Sequence, residues 1–236
     1  MAGSIRLFVD APLREGAEIA LAPAQAHYLA NVMRRGPGEP VAVFNGRDGE
    51  WRARLTAIRR GEAQATVEVA VRPQADETDL WLAFAMLKRT ATDFLVQKAT
   101  ELGVSALFPL ATARTGAERV NLERLRAIAI EAAEQSERLT VPVLDPPRGL
   151  PALLDLWPRE RPLVAAIERR AAAPVRRQRG AAGLLIGPEG GFTEAELDAL
   201  GRCPFVVPAS LGPRILRAET AAIVGLALLQ AGPICP

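Results

Sequence analysis

Leu184-Leu185-Ile186-Gly187-Pro188-Glu189-Gly190-Gly191 and, about twenty residues later, Leu211-Gly212-Pro213-Arg214-Ile215-Leu216-Arg217-Ala218-Glu219-Thr220 are the two stretches that decide the fold. Each places a glycine-containing loop after a short apolar run suited to a buried strand and ahead of a helix-like segment, which is where α/β proteins put ligands. Gly187, Gly190 and Gly191 let main chain approach a ligand closely or adopt positive φ, and Pro188 fixes the turn between them. Thr193 with Glu196 three residues on makes a capping box, so a helix starts directly after the first loop.

The first loop has neither the G-K-[ST] ending of a P-loop nor a G-x-G-x-x-G, which argues against nucleoside triphosphates and NAD. A helix start favours anions, yet Glu189 sits beside it and suits a ligand carrying positive charge or hydrogen-bond donors. S-adenosylmethionine, with its sulfonium and amino group, fits that description; a purely structural strand-to-helix turn fits the loop as well. In the second loop Arg214, Arg217 and Glu219 crowd charge together, which is costly unless the groups pair or meet a ligand.

Upstream of the loops, strand and helix alternate. Residues 80–87 form an apolar run long enough for a buried strand, and residues 90–102 read as a helix with a Thr90-x-x-Asp93 cap and Gly103 as its stop. A strand over 104–110, a helix capped by Asn121 and running to about Ser136, and strands over 141–144 and 162–166 around a helix over 150–156 complete the series. Such alternation predicts a parallel sheet with helices on both faces. The last helix, residues 219–231, is apolar nearly all round and must be buried, in a core or at a dimer interface. Residues 169–180 carry Arg169, Arg170, Arg176, Arg177 and Arg179 without an acid, as either an RNA-touching loop or a solvated connection.

Residues 1 to about 72 are different, a β-rich module built like a small barrel. Strands are expected over 5–9, 41–44, 51–58 and 63–71, with a helix over 23–33 opened by Pro23. Arg6 lies on the first strand, and Arg34-Arg35 close the helix, where cations either answer the helix dipole or hold phosphates. His27 reads as a packed or hydrogen-bonded residue rather than a catalyst. The polar stretch 72–79 is the natural linker, giving domains 1–73 and 74–236.

Composition bounds the rest. The chain has 236 residues, 49% of them hydrophobic, enough for a sizeable core. No apolar run reaches the ~18 residues of a membrane span, and the N-terminus lacks the blocks of a signal peptide, so no membrane partner and a cytoplasmic location are expected. Cys203 and Cys235 stand apart from each other and from His27, which argues against a metal site. The net charge of +2 selects no partner by itself, although all but Lys88 and Lys98 of the 29 basic residues are arginine, the better fork for phosphates. A GC-rich genome gives the same bias.

Taken together, the two C-terminal motifs resemble the RsmE family, the bacterial 16S ribosomal RNA uridine N3-methyltransferases of the SPOUT superfamily. Gln97-Lys98-Ala99-Thr100-Glu101-Leu102-Gly103-Val104, Glu134-Gln135-Ser136 with Arg138, residues 27–38 and Phe44-Asn45-Gly46 extend the resemblance over nearly the whole chain. It implies a PUA-like RNA-binding β-barrel followed by an α/β methyltransferase domain with a deep trefoil knot, acting as a homodimer on 16S rRNA or the small ribosomal subunit. It implies that Ile186, Gly187, Pro188, Glu189, Gly190, Leu211, Gly212, Ile215 and Leu216 hold S-adenosylmethionine. Arg214 or Arg217 would stabilise charge on the uracil; Glu219 would serve as base or, by preference, as an arginine's ion-pair partner. Arg6, Arg34 and Arg35 would grip RNA, with Lys88 and Arg114 nearer the reaction. The chain departs from the family at Lys88-Arg89-Thr90, where Lys-Gly-Asp is common. It departs again at Glu137, where glycine is common, and at Ala218, where threonine is frequent.

Overall fold

A computed structural model describes residues 5–59, 61–75, 77–115, 120–167 and 172–231. Arg169, Arg170 and Cys235 lie outside the described residues. By packing, the chain divides into one unit of Met1–Asp76 with Ala133–Val141 and a second of Glu77–Ala132 with Pro142–Pro236. The sequence reading put the boundary at 73/74 and gave 133–141 to the second domain.

The first unit contains β1 (Arg6–Phe8), β2 (Glu18–Leu21), α1 (Pro23–His27), a wide π turn (Tyr28–Val32), β3 (Pro40–Phe44), β4 (Glu50–Arg59) and β5 (Glu62–Arg72). They form one five-stranded sheet in the order β1-β3-β4-β5-β2, antiparallel except for β1 against β3. Period-two patterning on β4 and β5 buries Ala53, Leu55, Ala63, Ala65 and Val67 against Leu7, Ile19, Leu29, Val41 and Val43. Three register shifts along β4 bend it over this core. The sequence reading missed β2, because Ile19 and Leu21 offer only two alternations.

Residues 133–141 join this unit through Arg6. Its guanidinium donates to Glu50 Oε2 at 2.7 Å and to the carbonyls of Ala133, Glu134 and Arg138 at 3.0, 2.8 and 2.7 Å, and stacks on Phe44 at 4.5 Å. Helix-end carbonyls need such donors, because they have no partner within the helix. Burial pushes the Glu50 carboxyl up, but bonds from Arg72 and Arg6 outweigh it and hold the group below the ordinary glutamate range.

The second unit is a seven-stranded parallel sheet. Its elements are β6 (Leu80–Ala85), α2 (Arg89–Glu101), β7 (Ala106–Ala111), α3 (Leu122–Gln135, shared with the first unit from Ala133), β8 (Val143–Leu144) and β9 (Arg148–Gly149). Then come α4 (Leu150–Leu156), β10 (Leu163–Ala166), β11 (Ala182–Ile186), α5 (Glu194–Gly201), β12 (Val206–Ala209) and α6 (Ala218–Gln230). The order is β12-β10-β11-β6-β7-β8, with β9 also on β7. Alternate strand residues face opposite ways. Ala83, Leu163, Ala165 and Leu185 pack with Leu153 and Leu154 of α4 and Leu200 of α5, while Leu184 meets α6 on the other face. There Gly225 permits the contact, since a Cβ on it would lie 2.7 Å from Leu184 Cδ2. Gln230 of α6 donates to the Leu102 carbonyl at the end of α2.

Two expectations change. The Thr90-x-x-Asp93 cap does not form: Lys88 is the N-cap of α2, with no side-chain capping bond, and Asp93 pairs with Arg124. Asn121 does cap α3, accepting from Arg124 N–H at 3.0 Å. The last helix is not buried all round, for Leu228 is 39% exposed and Ile223 and Val224 are half-buried.

Candidate active site

Three neighbouring parallel strands, β10, β11 and β12, end at Ala166, Ile186 and Ala209, and the loops leaving those ends enclose a cavity of about 350 Å³. This is the carboxyl edge of the sheet, where open α/β folds bind ligands. Ile186, Gly187, Pro188, Glu189, Leu211, Gly212, Ile215 and Leu216 all line it, as do Arg214, Phe192 and Ser210. Of the nine residues expected to hold a cofactor, Gly190 alone does not appear on the wall.

The first loop is built by internal packing. Gly191 takes φ +70° and donates its N–H to the Pro188 carbonyl at 2.8 Å, closing a tight turn. At Gly187 a Cβ would lie 2.8 Å from Phe192 Cε2, so its lack of side chain also seats the ring that lines the cavity. Gly190 packs against the Arg114 stem, and Arg114 donates to its carbonyl at 2.5 Å. Arg114 thus fastens the first loop. The expected capping box forms, with Glu196 accepting from Thr193 N–H at 2.8 Å and, through its other oxygen, from Ala113 N–H at 2.9 Å. Burial raises the Glu196 carboxyl, yet these bonds outweigh it and keep it below the usual range.

The second loop turns at Gly212, whose φ of +115° few other residues tolerate, and runs into α6 with Arg217 as N-cap. Its charges do not pair with one another. Among the described residues Arg214 and Arg217 make no ion pair, and Glu219 Oε2 is buried without a hydrogen-bond partner. The expectation of an arginine–Glu219 pair is therefore corrected.

Beside the cavity opens a wider cleft of about 890 Å³ lined by Lys88, Thr90, Ala91, Phe94, Arg217, Glu219 and Thr220. Glu189, Ile215 and Leu216 form the wall common to both. Arg214 stands with the first cavity, and Lys88, Arg217 and Glu219 with the second. Sequence reasoning missed Ala166 and Ile167, which the strand-end rule applied to β10 would have found, and Thr90 and Phe94, which no local pattern marks.

In the first unit the expected RNA contacts separate. Arg6 is corrected: its side chain is 8% exposed and its donors are occupied. Arg35 pairs with Glu39 at 2.6 Å. Arg34 is exposed at φ +52° and has no partner among the described residues. His27 meets Asn31 at 3.0 Å, a hydrogen-bonded residue.

Residues 74–230 match the RNA methyltransferase domain family, and residues 21–68 match the RNA methyltransferase PUA domain. Ribosomal RNA small subunit methyltransferase E of Rickettsia conorii is 32% identical over 95% of this chain and 94% of the relative. The Synechocystis protein of that name is 34% identical over 91% and 73%. The chain belongs to the ribosomal RNA small subunit methyltransferase E family. A crystal structure of the Neisseria gonorrhoeae member bound to S-adenosyl methionine superposes with a TM-score of 0.84 at 31% identity, covering 95% of this chain and 96% of that one. Family membership makes the N-terminal unit PUA-like and the parallel sheet its methyltransferase domain.

Among the described residues no helix is long and apolar enough to cross a membrane, and no cluster of potential metal ligands occurs.

Proposed function

We propose that this chain methylates N3 of a uridine in 16S ribosomal RNA, using S-adenosylmethionine held in the strand-end cavity. The observation that carries the reading is the pair of adjoining cavities. One is walled by glycine turns, backbone and apolar Ile186, Leu211, Ile215 and Leu216; the other is lined by Lys88, Arg217 and Glu219, a carboxylate that no cation neutralises among the described residues. The first suits a cofactor with an apolar body and a cationic centre, for which Glu189 supplies the complementary charge. When bound, S-adenosylmethionine supplies an electrophilic methyl group.

The chain's own task is to make N3 nucleophilic. Glu219 accepts the N3 proton, and Arg217 stabilises the negative charge that spreads over the two uracil carbonyls. A carboxylate left without a donor or cation is costly, more so than the about 1–3 kcal/mol of a neutral polar group, and an N–H donor presented to Glu219 lowers that cost. Lys88 serves the neighbouring phosphate. Because N3 is on the Watson–Crick edge, the base must be unpaired or flipped out, with Arg34 of the PUA-like module gripping RNA around it.

The finer architecture belongs to the same proposal: a trefoil knot through the two loops, and a cytoplasmic homodimer. Exposed Phe94 and Leu228, on α2 and α6, support the second copy.

Nucleoside analysis of 16S rRNA from a strain lacking its own enzyme, complemented with this chain, tests the reading. N3-methyluridine should appear. Its absence, or a methyl group on a ribose or on transfer RNA instead, overturns it.

A further inference from the structure

The segment 172–180 packs three arginines into four positions, Arg176, Arg177 and Arg179, with no acid among its residues. All three side chains are exposed, and none makes an ion pair or side-chain hydrogen bond among the described residues. A merely solvated connection has no reason to be held, yet this one is fastened at both ends. Ser210 N–H donates to the Ala173 carbonyl at 2.9 Å, Val175 N–H donates to the Ser210 carbonyl at 3.1 Å, and Pro174 bridges Ser210 in parallel. Further on, Gln178 N–H donates to the Leu229 carbonyl at 2.9 Å. Ser210 itself lines the cofactor cavity, and Leu229 lies on α6, whose first turn forms part of the same wall. Three like charges are thus held on a backbone that leaves the cavity wall at Ser210 and is fastened again near the last turn of α6, at the cost of their mutual repulsion.

We propose that Arg176, Arg177 and Arg179 form a phosphate-binding strap for the RNA strand that carries the target nucleotide. The inference rests on the RNA methyltransferase reading. Arginine forks match phosphate oxygens two at a time; a polyanion's phosphates offset the repulsion, and the counterions they release make the binding salt-dependent. The strap reads no sequence; it holds backbone, leaving discrimination to the cleft.

The test is binding of the full chain to a 16S rRNA fragment across a potassium chloride series, which reports on the strap whether or not turnover occurs. Replacing all three arginines with glutamine should lower the slope of log affinity against log salt by about 2, at about 0.7 per single-strand phosphate contact, and weaken binding about fifty-fold at 0.15 M salt. Each single substitution should remove about one third of that change. KM for RNA should rise while kcat at saturating RNA and S-adenosylmethionine affinity stay unchanged, and the triple lysine variant should recover most of the slope. An unchanged slope in the triple glutamine variant, with wild type still producing N3-methyluridine, overturns the strap and spares the enzyme. Lost binding to anionic lipid vesicles with RNA binding intact would assign the strap to a membrane and likewise overturn it.

Discussion

The arginines of the PUA-like unit and those of the C-terminal loops have opposite fates. In the first unit Arg6 and Arg72 share Glu50, Arg35 takes Glu39, and Arg52 and Arg54 share Glu68. In the C-terminal loops Arg176, Arg177, Arg179, Arg214 and Arg217 meet no carboxylate among the described residues, while Glu219, which lines one cleft with Arg217, goes without a cation. The same side chain is structural where an acid is positioned for it and available where none is. Unmatched charge collected in one place marks function, because folding alone gains nothing from it.

Glu219 gives the largest expected effect. Glu219→Gln should reduce kcat by about 10²–10⁴-fold, the contribution of a positioned base, with S-adenosylmethionine affinity unchanged by calorimetry. Because Glu219 Oε2 has no hydrogen-bond partner to lose among the described residues, the melting temperature should be unchanged or higher. A fall in stability with activity intact would make Glu219 a structural acid and dissolve the contrast.

Arg6 breaks the comparison from the other side. Arg6→Ala leaves Glu50 to Arg72 alone and strips three backbone carbonyls of their donor, and at about 1–3 kcal/mol for a buried group left unmatched it should cost about 3–5 kcal/mol, read as a lower urea midpoint at unchanged slope. The Glu50 carboxyl is depressed in the folded state, so its contribution is complete above the ordinary glutamate value near ~4.3 and disappears as pH falls through the lower folded value. The gap between wild type and variant should therefore be full at neutral pH and narrow in acid. A gap independent of pH would remove the ion pair from the explanation.

The fate of each arginine was not legible in the sequence, whereas the architecture largely was. Strand–helix alternation announced the parallel sheet, because the apolar runs of β6, β7 and β11 and the caps Asn121 and Thr193 are local signals. The loops that wall the cavity were legible for the same reason, each being one turn between two elements. Arg6 and Arg217 carry no local mark that separates them; what does is Glu50, 44 residues from Arg6, and the helix-end carbonyls 127 to 132 residues away. The second cleft stayed hidden likewise, since it joins the start of α2 to the start of α6.

Gly187 sharpens the contrast at the cavity wall, with a smaller effect. Gly187→Ala brings a methyl group to 2.8 Å from the Phe192 ring, an overpacking that costs about 1–3 kcal/mol. Because that ring lines the cavity, S-adenosylmethionine binding should weaken about tenfold, which is ~1.4 kcal/mol. Adding Phe192→Leu should restore part of the loss, a coupling that independent effects would not produce. Strict additivity would mean that Gly187 acts on the ligand directly.

The smallest effects come from the two non-glycine residues at positive φ, Arg34 at +52° and Glu137 at +58°. A side chain in that region costs about 1–2 kcal/mol, partly offset by the greater freedom a glycine loses on folding. Glu137 lies just past α3, the position where a left-handed glycine is the usual stop, and among the described residues only its backbone carbonyl is engaged, accepting from Arg72 at 2.9 Å. Glu137→Gly should therefore stabilise by about 0.5–1 kcal/mol, a melting rise of about 1–4 °C for a chain of this size. RNA affinity should not change. Arg34→Gly should bring the same stability gain but lower the salt slope of RNA binding by about 0.7–0.9, one phosphate contact. Equal gains with unequal RNA binding would show that strain is tolerated at 34 for the sake of its cation and at 137 for nothing comparable. If neither variant altered RNA binding, Arg34 would join Arg6 and Arg35 among the structural arginines, and the open arginines would be confined to the C-terminal loops.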